Sequence, residues 1–270
     1  MLLGPAKIEL RHITPFRMVI HDFLSRLEIE TLTNRLKKKM LFETSKPLLV
    51  SPETGDKDIT SPKAATFFFS NLDLVENNNT NRTEDNHKMQ GTHIGISRNA
   101  SYYADKGPVD MMHYISKRIE SHTFLDTTKY GSAGKYRVSL HGLAAMVESH
   151  RDHYTTDSSL LNKKFEYKKI NGGNMATILI WLSDVQGGGG TFFSAFGSEQ
   201  LISPTRGSAL FWINVKSCGD GLVTQEHGGC PVSKGMKFVL GQWVSHYNQW
   251  KEFPCQIQEG LEVKFSLKLI

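Results

Sequence analysis

The chain has 270 residues, 39% of them hydrophobic and 22% charged, with a formal net charge of +5 spread along its length. That length buries a substantial core. The positive charge forms no basic stripe with interleaved aromatics, which argues against nucleic acid as a partner. The longest largely apolar run, Ala176 to Leu182, is far too short to span a bilayer.

The opening M-L-L-G-P-A-K-I-E-L lacks an apolar core long enough for a signal peptide, and the ending K-F-S-L-K-L-I is not a retention signal. An amphipathic helix is predicted from Leu24 to Lys39, with Leu27, Leu32 and Leu36 on one stripe and Ser25 and Glu28 in a capping-box pattern. Residues 43–91 are polar and irregular and read as a loop region. Within or beyond it, Asn78, Asn81 and Asn99 fit the glycosylation acceptor pattern. A second helix is predicted from Pro108 to His122, with Pro108 in the first turn and Val109, Met112, Ile115 and Ile119 along one side.

From Tyr136 the pattern changes to short strands separated by turns. They are predicted at Tyr136–Leu140, Met146–Arg151, Ala176–Leu182, Gly190–Phe193, Ser208–Ile213, Gly221–Glu226 and Lys237–Val244, with a turn at Gly187 to Gly190. Regularly spaced short strands after helices argue for an α+β fold: a double-stranded β-helix, or jelly-roll, core with N-terminal supporting helices. The organisation expected is a helical support region over 1–135, a jelly-roll domain over 136–256 and a tail over 257–270. The polar stretch from His153 to Gly173 has the length of an active-site lid.

Chemistry concentrates in this second half. In E-S-H-R-D-H-Y, His150 and Asp152 stand two apart on a predicted strand and share a face. A third ligand from a distant strand, His227 in Q-E-H-G-G-C-P-V, completes two imidazoles and one carboxylate. That set suits non-haem Fe(II) and leaves positions open for a co-substrate and O2. Lys237 follows His227 by ten residues, about one turn and one antiparallel strand. A lysine brought into the same barrel asks for an anion, and the far carboxylate of 2-oxoglutarate supplies one. By alternation His153 points away from the metal, and His246 has no evident role there.

Three segments carry a resemblance: G-N-M-A-T-I-L-I-W-L-S-D-V-Q-G-G-G-G-T-F-F, P-T-R-G-S-A-L-F-W-I-N and H-G-G-C-P-V-S-K-G-M-K-F-V-L-G-Q-W-V. Together they resemble the catalytic domain of the collagen prolyl 4-hydroxylase alpha subunit, densely from about Tyr136 to Cys255 and faintly upstream. The resemblance implies His150, Asp152 and His227 as iron ligands and Lys237 as the 2-oxoglutarate anchor. It implies Thr177 as a hydrogen-bond partner of the same carboxylate and Trp243 as a wall of the proline pocket. It also implies a disulfide between Cys230 and Cys255, leaving Cys218 free.

The activity implied is hydroxylation of peptidyl proline to 4-hydroxyproline in collagen-like chains, with release of succinate and CO2 and with L-ascorbate as a cofactor. The partner implied is protein disulfide isomerase as a beta subunit, and the compartment is the endoplasmic reticulum lumen. This sequence departs from the family pattern at several points. His141 stands where a tyrosine helps hold 2-oxoglutarate, and Met146 or Val147 where a second tyrosine packs near the substrate. Ala144 and Ala145 replace a Gly-Gly pair, and Ser149 replaces a proline. His141 can still donate a hydrogen bond to the co-substrate. Two other readings follow from these changes: the same chemistry on another peptide, or a non-catalytic paralogue serving as a binding or assembly module.

Overall fold

The computed structural model describes residues 7–43, 65–69, 111–129, 131–134, 136–153, 173–195, 198–249 and 253–255. Thirteen strands and two helices are placed among them: β1 (Ile8–His12), β2 (Arg17–Ile20), α1 (Arg26–Glu43), β3 (Ala65–Phe69), α2 (Met111–Thr123), β4 (Tyr136–His141), β5 (Val147–His150), β6 (Asn174–Trp181), β7 (Gly187–Gly188), β8 (Thr191–Ala195), β9 (Ser198–Ile202), β10 (Ala209–Ile213), β11 (Glu226–Gly229), β12 (Val232–Lys234) and β13 (Lys237–Ser245). The glycosylation candidates Asn78, Asn81 and Asn99, most of the 153–173 stretch and the tail from 256 lie outside the described residues.

Two antiparallel sheets form the body. The larger has seven strands in the order β1-β2-β10-β6-β13-β4-β3, and the smaller has four in the order β5-β11-β8-β9. β6 and β10 are nearly continuous apolar runs because both of their faces are buried. Side-chain alternation sends their residues to two different cores. Ala176, Ile178 and Ile180 of β6, Phe211 and Ile213 of β10, Phe238 and Leu240 of β13 and Val138 of β4 join Ile29 and Leu32 of α1 and Met112, Ile115 and Ile119 of α2 in one cluster. That cluster covers the outer face of the larger sheet. Trp181, Leu210, Trp212 and Val239 point the other way and meet Phe193 of β8 in a second cluster, between the sheets.

Several expectations are corrected. Strands precede the first helix: β1 pairs with β2, and β2 pairs with β10, so residues 8–20 extend the larger sheet. Their β-branched and apolar content suits a buried strand, and all four residues of β2 are buried. β3 falls inside the span read as a polar loop, where A-T-F-F-F pairs along β4. The capping box at α1 forms, with Glu28 accepting from the Ser25 backbone N–H at 2.8 Å and Ser25 Oγ accepting from the Glu28 N–H at 3.3 Å. Leu27, however, faces solvent, and Ile29 and Leu32 carry the buried stripe. The strand expected at Gly221–Glu226 starts later: Val223–Gln225 make a single 3-10 turn, and β11 begins at Glu226. Gly187 and Gly188 form a short strand rather than only a turn, pairing with β12.

Candidate metal centre

β5 and β11 bring the first and third predicted ligands together. Their antiparallel register sets His150 directly opposite His227, with ring centroids 4.5 Å apart. Asp152 lies just beyond the end of β5 and points between them. Its Oδ1 is 3.5 Å from His150 Nε2 and its Oδ2 is 3.5 Å from His227 Nε2. The candidate ligand atoms all lie within 4.8 Å of one another, a spacing that one ion can bridge.

The tautomers are fixed by the backbone. His150 Nδ1 sits 2.8 Å from the Glu148 carbonyl, and His227 Nδ1 sits 2.8 Å from the Gln225 carbonyl. A carbonyl only accepts, so each Nδ1 carries a proton; in the neutral ring Nε2 presents a lone pair toward Asp152, and in the protonated ring it donates there. This is the outer-shell support that metal-binding imidazoles need. The residues present therefore fit non-haem iron(II).

Electrostatics agree with that use. Burial alone raises the Asp152 carboxyl, but hydrogen bonding from His150 and the nearby imidazoles hold it well below the usual carboxylate range. Burial lowers His227, against the pull of Asp152. For His150 the same burial is outweighed by hydrogen bonding and attraction to Asp152, which raise it.

Thr177 is placed differently from its expected role. Its hydroxyl donates to Asp152 Oδ2 at 2.6 Å and accepts from Asn214 Nδ2 at 2.8 Å. With its one proton committed to Asp152, it has none to donate to a co-substrate carboxylate. It instead orients the Asp152 carboxylate, assisted by Asn174, whose Nδ2 donates to the Asp152 carbonyl at 3.0 Å.

Lys237 and His141 lie opposite each other in the β13–β4 register. Alternation puts them on the same inner face as Val239, Trp243 and Arg137. Lys237 is 6% exposed, and among the described residues its ammonium makes no hydrogen bond or ion pair. Burial pushes it down to about 8, with Cys230 pulling the other way. A buried cation in this state would gain from an anionic partner. Burial, with repulsion from Lys237 and Arg137, pushes His141 down to about 4, so its imidazole is neutral near pH 7. Trp243 is opposite Thr177 in the β13–β6 register, and the Arg137 guanidinium lies over its ring at 4.5 Å. Its indole N–H is buried and without a partner among the described residues. Met146 and Val147, at the position of the second expected tyrosine, leave an exposed methionine and a half-buried valine.

The disulfide expectation is overturned. Cys218 pairs with Cys255, and Cys230 is a free thiol. The Phe253 N–H donates to the Gln249 carbonyl and Phe253 packs on the outer core, which carries Cys255 to the turn at Lys216–Gly219. Cys230 instead follows β11, its N–H donating to the Gly190 carbonyl.

Sequence reasoning also missed the residues that frame the triad. The ring of Trp212 stands 4.8 Å from that of His227, and Phe193 stands 5.5 Å from it. Alternation along A-L-F-W-I would have placed Trp212 inward once β10 was seen to be doubly buried. Nothing local marks Gln225 or Arg137.

No protein-family model matches the chain. Comparison with curated proteins does find relatives. Over 259 residues it is 27% identical to human prolyl 4-hydroxylase subunit alpha-1, covering 96% of this chain and 40% of the relative. The chain is similar to the prolyl 4-hydroxylase alpha subunits. The alpha-2 subunit of Caenorhabditis elegans gives 26% identity over 264 residues, covering 97% of this chain and 40% of the relative. The chain thus spans about two-fifths of the length of these relatives. Among solved structures, a Trichoplax adhaerens prolyl hydroxylase in complex with a hypoxia inducible factor peptide fragment superposes with a TM-score of 0.52 at 13% identity, covering 86% of this chain and 84% of that one. That likeness is one of fold: the two-sheet core is shared with that structure.

Proposed function

We propose that the chain is an Fe(II)- and 2-oxoglutarate-dependent dioxygenase that hydroxylates peptidyl proline to 4-hydroxyproline in collagen-like chains. One observation carries the reading: a two-histidine, one-carboxylate cluster at one sheet together with a buried lysine on the inner face of the other that has no hydrogen-bond or ion-pair partner among the described residues. The similarity to prolyl 4-hydroxylase alpha subunits supplies the substrate class. In the balanced reaction, 2-oxoglutarate, O2 and proline give succinate, CO2 and 4-hydroxyproline. Bound iron(II) would supply the redox chemistry that couples decarboxylation to hydroxylation.

The residues divide the rest of the task. His150, Asp152 and His227 would hold the metal, a donor set that leaves positions for a co-substrate. Thr177 and Asn174 keep Asp152 aimed. Lys237 neutralises the far carboxylate of 2-oxoglutarate, and His141, neutral at working pH, donates a hydrogen bond to it. Trp243 lines the proline pocket, and the apolar second core keeps water from the open side. L-ascorbate would serve as the reductant for bound iron. Protein disulfide isomerase as a beta subunit and the endoplasmic reticulum lumen as compartment belong to the same reading. Among the described residues no helix is long and apolar enough to cross a membrane.

The test is anaerobic loading with Fe(II), then succinate release on adding O2, 2-oxoglutarate and ascorbate, with and without a (Pro-Pro-Gly)-repeat peptide. Peptide-stimulated succinate that His150→Ala abolishes supports the reading. Met146 and Val147 leave an aromatic wall missing on the substrate side, which favours a second reading of the same chemistry on another peptide. Succinate released without stimulation by the repeat peptide would select it. Folded, iron-loaded protein without turnover would leave the non-catalytic assembly module.

A further inference from the structure

Arg17 lies in β2, yet it is only 1% exposed and among the largest fully buried side chains. A buried guanidinium is costly unless its N–H groups find acceptors. Its Nε donates to Gln225 Oε1 at 2.7 Å, its Nη1 to Gln200 Oε1 at 3.1 Å and its Nη2 to the Thr224 carbonyl at 2.8 Å. Its plane lies over the Phe193 ring at 4.2 Å.

Gln225 is held at both ends of its amide. While Oε1 faces the cation, Nε2 donates to the Ile213 carbonyl at 2.6 Å and the Phe16 carbonyl at 3.3 Å. The backbone carbonyl of this same residue accepts the His227 Nδ1 proton. Phe193, held from one side by Arg17, stands against the His227 ring. Arg17 therefore touches both groups that fix the third ligand: the residue that sets its tautomer and a ring that sets its tilt.

We infer that Arg17 is a positioning residue for the metal site, acting through Gln225 and Phe193 to fix the tautomer and aim of His227. The inference rests on the proposed function only in taking His227 Nε2 as a metal ligand. A guanidinium that merely filled the core would be replaceable at the cost of stability alone. A positioning guanidinium is not, because losing it frees the Gln225 side chain and lets the carbonyl beside it shift away from Nδ1. Outer-shell changes of this kind weaken metal binding by about ten- to a hundredfold.

The test uses the full chain, metal-free, with two readouts: the histidine tautomers from 15N-histidine NMR, and Co(II) affinity by titration. Arg17→Met is expected to lose the single Nδ1–H form of His227 and to weaken Co(II) about tenfold. Gln225→Leu should do the same, and the double variant no more, as for two members of one chain of contacts. Ile20→Ala, which trims the same strand's side chain in the outer core, should lower the melting temperature while leaving both readouts unchanged. Arg17→Met that folds and keeps the tautomer and the affinity overturns the inference, and so does Ile20→Ala reproducing the loss. Should Arg17→Met fail to fold, Arg17→Lys keeps the charge without the fork, and unchanged readouts there overturn it equally. A wild-type chain that does not bind Co(II) counts against the proposed function, while the tautomer of His227 still decides the role of Arg17.

Discussion

Lys237→Met keeps most of the buried stem of this side chain and removes its ammonium. In the wild-type chain without co-substrate, burial holds the group at about 8 against an ordinary value of 10.5. At about 1.36 kcal/mol for each tenfold change in proton affinity, that depression makes the charged form cost roughly 3 kcal/mol of folding stability. Lys237→Met should therefore be more stable than wild type by about 2–3 kcal/mol below pH 8. The sign with pH follows. Below about 8 both folded and unfolded chains carry the proton and the full cost applies. Between about 8 and 10.5 the folded chain releases it while the unfolded chain keeps it, so wild-type stability rises and the gap to the variant closes. The same substitution should weaken 2-oxoglutarate by at least ~100-fold, because a carboxylate brought to this depth would lose the buried ammonium that offsets its charge. Urea denaturation at pH 6.5 and 10 gives the first quantity, and calorimetric titration of 2-oxoglutarate into metal-loaded protein gives the second. A variant no more stable than wild type at pH 6.5 would refute the reasoning, as would one that binds 2-oxoglutarate unchanged.

Other consequences are as definite. Cys218→Ser opens a disulfide with a sequence separation of 37, and chain-entropy arguments put the loss at about 4 kcal/mol; Cys230→Ser should cost under about 1 kcal/mol, and denaturation midpoints compared under non-reducing conditions decide. Ser25→Ala removes the capping box of α1 and should cost about 1 kcal/mol, read from the thermal midpoint. Thr177→Val takes away the one donor that aims Asp152 Oδ2 and should lower Co(II) affinity by about tenfold or more with little change in secondary structure; equal affinity would place Thr177 outside the site. With His141 at about 4, the co-substrate affinity of wild type should show no histidine-like inflection between pH 5.5 and 7.5 that His141→Gln removes.

How much of this was legible beforehand depends on the range of the interaction. The triad could be read because H-x-D keeps a histidine and a carboxylate close together in sequence, although Asp152 lies just past β5 rather than on it; the ten-residue spacing pointed to Lys237, but it holds β12 and a crossing to the other sheet rather than one turn and an adjoining return strand. Alternation and apolar runs likewise located β4, β6, β10 and β13 to within a residue or two. β1, β2 and β3 escaped because each is short and is stabilised by pairing with strands far along the chain, a contribution that no local window contains. Thr177 was visible as a site residue, but its partner was not. A threonine hydroxyl turns to whichever acceptor lies nearest, and that acceptor arrives from the end of another sheet. The cysteine pairing failed for a similar reason, since the turn at Lys216–Gly219 has to be in place before Cys218 can be seen to meet Cys255.

The pairing of β2 along β10 bears on how this molecule can be divided. The recognisable motifs begin near Tyr136, and a protein engineer would be tempted to start an expression fragment there. Such a fragment would strip the hydrogen-bonding partner from one whole side of β10, leaving Ala209 to Trp212 as a bare apolar edge. It would also take away the cation stacked on Phe193. The motif-bearing half would be left as a sticky template for other strands, so the first twenty residues travel with the active site or the active site does not travel at all.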